Sequence, residues 1–229
     1  MPVPAHERLD VQPVLALFDK SGSQAGPGIE AANAFSIDLG RDVLDDVLYA
    51  ECLKFGMVGF ADDASTLIEI GDLTEIDEMP RLEVEGGTNF AAGFREAKAA
   101  LERFYAAHPE KAPTRRALFV MLTDGMHNAK EDWKPAFAAL TDPAWAHRPF
   151  TMVFGCGQAD PDELKKIPAD RVYIARDTDT IVQIKEILGT LRRTIRTATL
   201  TAATGKARNA FTPEVPENHF IALHDETDH

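Results

Sequence analysis

The sequence predicts an α/β fold of the Rossmann-like, doubly wound kind: a central, mostly parallel six-stranded sheet with one antiparallel edge strand and helices on both faces. Three observations predict it. Short, continuously apolar runs such as Val14-Leu15-Ala16-Leu17-Phe18 and Ala117 to Leu122 are the mark of strands covered on both faces. Segments with apolar residues at helical spacing alternate with these runs. Cys52 to Phe60 and Ser65 to Ile70 are separated only by Ala61-Asp62-Asp63-Ala64, too short for a parallel crossover, so the two form a hairpin with its antiparallel member at an edge.

In chain order, residues 1–12 carry two prolines and several charges without periodicity and read as an arm on the surface. The Val14–Phe18 strand is followed by a loop containing Gly22, Gly26, Pro27 and Gly28. Ile29, Ala32, Phe35, Leu39, Val43 and Val47 then step at helical spacing. After the hairpin and a polar connection, Phe90, Phe94, Ala97, Leu101 and Phe104 define a helix that starts directly after Thr88. Ala117 to Leu122 is a strand, with Trp133, Phe137 and Leu140 on the helix behind it, and Phe150 to Phe154 is another strand. Asp160-Pro161-Asp162-Glu163 opens a short helix to Ile167, with Asp160 as N-cap, Pro161 in the first position and Glu163 in a capping-box-like place. Val172 to Ala175 is the sixth strand, and Ile181, Ile184, Leu188, Leu191 and Ile195 stripe the last helix. One domain over residues 13–200 results, followed by a 201–229 tail that is flexible or loosely docked, with Phe211, Phe220, Ile221 and Leu223 available to anchor it.

The 229 residues suffice for one sizeable core, and 45% hydrophobic with 27% charged residues is ordinary for a globular chain. A net charge of -13 argues against nucleic acid as a partner and fits a cationic ligand or a basic partner; solubility alone is the other reading. Nine carboxylates between Asp62 and Glu85 stand against Arg81 alone, a local balance of -8, which reads either as a solvated edge or as a surface for a basic partner. No apolar run is long enough for membrane insertion, and Met1 to Arg8 has no signal-peptide character, so a cytoplasmic location is expected. Cys52 and Cys156 read as reduced core residues. The spacing of His219, His224 and His229 is too irregular to argue for a metal.

Three loops carry the chemistry. Asp19-Lys20-Ser21-Gly22-Ser23 follows the first strand, Thr88 lies in Glu85-Gly86-Gly87-Thr88-Asn89, and Asp124 ends Leu122-Thr123-Asp124-Gly125. Asp19, Ser21, Ser23, Thr88 and Asp124 supply only oxygen, the ligand type of hard cations such as Mg2+, with Mn2+ or Ca2+ as alternatives. Singly, each is an ordinary turn former or cap. His127 and Asn128 lie on the rim of the same face or are solvated loop residues, and Lys20 and Gln24 add nothing to the pattern.

This set resembles the metal-ion-dependent adhesion site (MIDAS) of von Willebrand factor A (vWA) domains: Asp-x-Ser-x-Ser, then a Thr, then an Asp. The bare domain, the opening Pro13-Val14-Leu15-Ala16-Leu17 and the Glu-Gly-Gly-Thr loop are most similar to bacterial tellurium-resistance (TerY-type) vWA proteins. The resemblance implies strand order 3-2-1-4-5-6. It implies Ser21 and Ser23 as direct ligands, Thr88 as direct or water-mediated, and Asp19 and Asp124 acting largely through water or hydrogen bonds. It further implies protein–protein interaction through a partner's Asp or Glu carboxylate, in a tellurite or chemical-stress system with kinase, phosphatase or other stress components as partners.

An enzyme is the competing reading. A Mg2+-dependent phosphatase of the haloacid-dehalogenase type also places an Asp nucleophile after strand one, here Asp19, but its Asp-x-Asp motif has Ser21 in the second position. No P-loop, Gly-x-Ser-x-Gly or His-Glu-x-x-His accompanies it. The expectation is therefore a binding module, not a catalyst.

Overall fold

A computed structural model describes residues 10–108, 114–125, 127–176, 179–203, 215–216 and 218–225. Its strands are β1 (Gln12–Asp19), β2 (Leu53–Phe60), β3 (Ala64–Gly71), β4 (Leu118–Thr123), β5 (Phe150–Gly155), β6 (Arg171–Ala175) and β7 (Phe220–Asp225). The helices are α1 (Pro27–Leu44), α2 (Val47–Cys52), α3 (Phe90–Ala107), α4 (Lys134–Leu140), α5 (Pro161–Leu164) and α6 (Thr180–Ala203). They surround one sheet of order β3-β2-β1-β4-β5-β6-β7. The inner pairs are parallel, and β2–β3 and β6–β7 are antiparallel.

The expected doubly wound α/β architecture and the order of the first six strands are as predicted. The strand count differs: there are seven, with an antiparallel strand at each edge. The seventh comes from the segment expected to be a tail. Phe220 is buried and meets the rings of Phe154 and Tyr173 edge-on at 5.8 and 6.5 Å. Arg176 donates from its backbone N to His219 O and from Nε to Phe220 O, both at 2.9 Å. Residues 1–9 of the expected arm, and Phe211 and His229 of the tail, lie outside the described residues.

Two layers of core explain the continuous apolar strands. Along β1, Val14, Ala16 and Phe18 pack on the side of α1, α2 and α6, whereas Leu15 and Leu17 pack on the side of α3 and α4. Both faces are covered, so alternation is lost.

The first helix ends sooner than its stripe suggests. α1 stops at Leu44, and Asp46, in extended backbone, caps α2 by accepting from Tyr49 N at 3.2 Å. Val47 therefore leaves the core stripe and is 75% exposed at the start of α2. Asp160 caps α5 through Asp162 N at 2.8 Å, but α5 ends at Leu164, short of Ile167, and Glu163 pairs with Lys166. Cys52 and Cys156 are free and buried.

Candidate metal centre

β1 and β4 run side by side with Phe18 opposite Leu122, so Asp19 and Asp124 emerge together at the carboxyl edge of the sheet. Here β1 has β2 on one side and β4 on the other, and the direction of winding reverses; ligands of open α/β sheets collect at such points. Asp19 Oδ1 accepts from Ser21 N at 2.9 Å, which turns the chain back immediately after β1. Ser21 Oγ lies 3.1 Å from Ser23 Oγ, and Ser23 Oγ donates to Asp124 Oδ1 at 2.8 Å. Thr123 Oγ1 donates to Asp19 Oδ2 at 2.6 Å. Gly125 faces the same space: a Cβ there would stand 3.4 Å from Thr88 Oγ1 and 3.8 Å from both Asp19 Oδ2 and Ser23 Oγ. The five residues singled out in the sequence thus meet around Gly125.

The Thr88 loop is fastened to the other two. Gly22 N donates to Gly86 O at 3.1 Å, Glu85 N donates to Lys20 O at 2.9 Å, and the Lys20 and Glu85 side chains form an ion pair. Gly86 has φ +41°, and a Cβ there would fall 2.0 Å from an Asp62 carboxylate oxygen, so only glycine fits. Asn128 clamps Thr88 from the far side, accepting from Thr88 N at 2.8 Å and donating its own N–H to Thr88 O at 3.0 Å. His127 Nδ1 accepts from Phe90 N at 3.2 Å, and Asn89 caps α3 through Ala92 N. His127 and Asn128 therefore hold the α3 entrance rather than standing free on the rim.

Burial raises the pKa of Asp19 and the Asp124 charge adds to it, while hydrogen bonds from Ser21 and Thr123 pull it back. Burial likewise raises Asp124, opposed by Ser23 and Gln24. Gln24 is buried, yet its Nε2 completes no well-formed hydrogen bond among the described residues. Two desolvated carboxylates beside three hydroxyls fit a hard divalent cation, which would relieve their desolvation and repulsion at once. Among the described residues no three His, Cys, Asp or Glu side chains gather, so this donor set is poor in charge and has no nitrogen or sulfur. Cys156 lies beneath it with Sγ 3.7 Å from Thr123 O; burial, then Asp124 and Asp19, push its pKa upward, so it stays a thiol and offers no thiolate ligand.

Solved structures with the same architecture include proximal thread matrix protein 1 of the mussel byssus, described with a zinc-occupied MIDAS motif (21% identity, TM-score 0.53, 83% of this chain and 49% of that one). The fold is that of a vWA domain. VWA2, a paralogue of ArnB from Sulfolobus acidocaldarius, is 18% identical with TM-score 0.55 over 82% of this chain and 46% of its own. A von Willebrand factor type A protein from Catenulispora acidiphila is 19% identical with TM-score 0.55 over 82% and 43%. The chain thus spans about half the length of the vWA-containing structures it matches. No family model and no curated protein matches it.

Beyond the five expected residues, the cluster includes Thr123, Gly125, Asn128 and Gln24. Thr123 and Gly125 flank Asp124 in sequence and were within reach of the motif. Asn128 and Gln24 matter through backbone clamping and burial, which no spacing reports.

Proposed function

We propose that this vWA domain is a metal-dependent protein–protein interaction module in which Asp19, Ser21, Ser23, Thr88 and Asp124 hold Mg2+, with Mn2+ or Ca2+ as alternatives. The observation that carries the reading is the convergence of two buried carboxylates and three hydroxyls on Gly125. The zinc in the corresponding motif of the mussel protein supports a divalent ion. When bound, the ion supplies an electrophilic position that accepts one more anionic oxygen. Ser21, Ser23 and Thr88 contribute neutral oxygens, and Asp19 and Asp124 orient the hydroxyls and balance part of the charge, which favours completion by a partner's Asp or Glu carboxylate.

The same hydrogen bonds favour binding over catalysis. Both Asp19 oxygens are engaged, by Ser21 N and Thr123 Oγ1, an arrangement that suits an orienting group better than a phosphatase nucleophile. On the TerY-type resemblance read from Pro13-Val14-Leu15-Ala16-Leu17 and the Glu85-Gly86-Gly87-Thr88 loop alone, we place the module in the cytoplasm, in bacterial tellurite or chemical-stress resistance, with kinase, phosphatase or other stress components as partners.

Calorimetry with Mg2+ and Mn2+ tests the site. The Ser21→Ala, Ser23→Ala double variant should lose binding, and undiminished binding would sink the assignment. Thr88→Ala at saturating Mg2+ should weaken partner affinity more than metal affinity. A wild-type protein that holds its partner equally well in EDTA would rule out docking through the ion.

A further inference from the structure

β3 is an edge of the sheet. Its inner side pairs with β2, and among the described residues no backbone group of Ala64–Gly71 bonds to anything on its outer side. Its sequence, Ala-Ser-Thr-Leu-Ile-Glu-Ile-Gly, lacks the proline or lysine with which edges are commonly blunted, and two register shifts in its pairing with β2 are its one blunting device. Its one charge, Glu69, is drawn toward α3 by Arg103, whose Nε lies 3.0 and 3.2 Å from the two carboxylate oxygens.

The outer side opens onto a groove of about 480 Å3, between Leu67–Gly71 of the strand and Asp72, Glu75, Ile76, Glu78 and Pro80 of the connection that follows. Its floor is partly apolar, from Leu67, Ile70 and Ile76. Its rim is acidic. Asp72 is paired with Lys54, but Glu75 and Glu78 are exposed and form no ion pair among the described residues.

We propose that the outer edge of β3 is a strand-addition site for a basic, extended segment of a partner protein. β3 spans eight residues, and its register shifts against β2 between Thr66 and Ile68 and between Ile68 and Gly71 confine the added main-chain hydrogen bonds to the stretches between them, which supply the alignment. Alternate side chains of the added strand face the groove, where lysine or arginine meets Glu75 and Glu78 and a β-branched residue covers Leu67 and Ile76. The charge selects the occupant. A second copy of this chain would bring a second segment of local balance -8 against the first, whereas a basic strand is drawn in. The site does not depend on the metal.

The test uses the full chain in EDTA and a fluorescein-labelled ten-residue peptide of repeating Lys-Ser-Val-Ser, which puts lysine and valine on one face. Its control has the same sequence with every backbone nitrogen methylated, keeping the charge but removing the donors from both edges. Anisotropy should show binding of the first peptide and at least tenfold weaker binding of the second. Hydrogen exchange should slow at residues 64–71 when the first is bound. The exposed double variant Glu75→Lys, Glu78→Lys should weaken binding at least tenfold while its melting temperature stays near that of the wild type. Equal binding of the two peptides, unchanged exchange in β3, full affinity in the charge-reversed variant or no binding would each overturn the proposal. A dimer in sedimentation without peptide, with β3 protected, would overturn it in favour of self-pairing.

Discussion

Thr123 Oγ1 donates to Asp19 Oδ2 at 2.6 Å, so the last residue of β4 holds the last residue of β1 across the strand pair. That bond fixes the carboxylate whose other oxygen turns the Ser21 loop. Thr123→Val removes the side-chain donor to Oδ2 while preserving shape. It should cost about 1–3 kcal/mol in urea denaturation with EDTA present, since a buried acceptor is left unpaired. Thr123→Ser should restore most of the loss; equal stability of the Val variant would show that the bond contributes nothing.

Asp19 and Asp124 both have folded-state pKa values raised, chiefly by burial, above the ordinary 3.8. The folded chain therefore binds protons at this pair more readily than the unfolded chain. The pair's contribution to stability is fully present below pH 3.8 and is lost as pH rises through the raised values. Asp19→Asn should accordingly melt higher than wild type at pH 7 in EDTA, with the gain shrinking as pH falls toward 3.8. The asparagine retains an acceptor for Ser21 N, and Thr123 can turn its hydroxyl to accept. A variant that melts lower than wild type at pH 7 would contradict this account.

Metal removal should leave the domain folded, because both core layers close without the ion. The loss is the linkage contribution, about 2.7 kcal/mol at an ion concentration one hundred times Kd. Far-ultraviolet circular dichroism should be unchanged by EDTA while the melting temperature falls; collapse of the spectrum would make the ion part of the fold.

Phe220 tests the seventh strand. Its ring fills the corner between Phe154 and Tyr173, and Phe220→Ala should destabilise by about 3–5 kcal/mol, as large cavities in aromatic cores do. Hydrogen exchange at Arg171–Ala175 should quicken at the same time. No change there would mean that β7 does not protect β6.

Elements buried on two faces were legible in the sequence because burial favours apolar residues: β1 and β4 each carry an unbroken apolar run, and β5 is interrupted only by Thr151, whose hydroxyl is bonded to Asp170. β7 was not, because it is an edge. Among its described side chains only Phe220 is deeply buried, Ile221 is 44% exposed, and its partner β6 lies some 45 residues earlier. The break between α1 and α2 was masked by Val43 and Val47, four residues apart on one apparent stripe, although Asp46 carried the capping signal. The site's five oxygen-bearing residues could be read as a pattern of types in three loops. The clamps made by Asn128 and the Thr123 hydroxyl depend on which loops meet, and local spacing is silent about that.

The bonds from Gly22 to Gly86 and from Glu85 to Lys20 bear finally on speed rather than strength. With two of the three loops already tied, an arriving ion need not wait for the chain to order itself. The pace of loading would be the ion's own, set by how quickly it sheds water. Mg2+, which dehydrates reluctantly, would enter later than Ca2+ even where it binds more tightly. After a sudden change in ion supply, the first occupant and the final one would then be different elements.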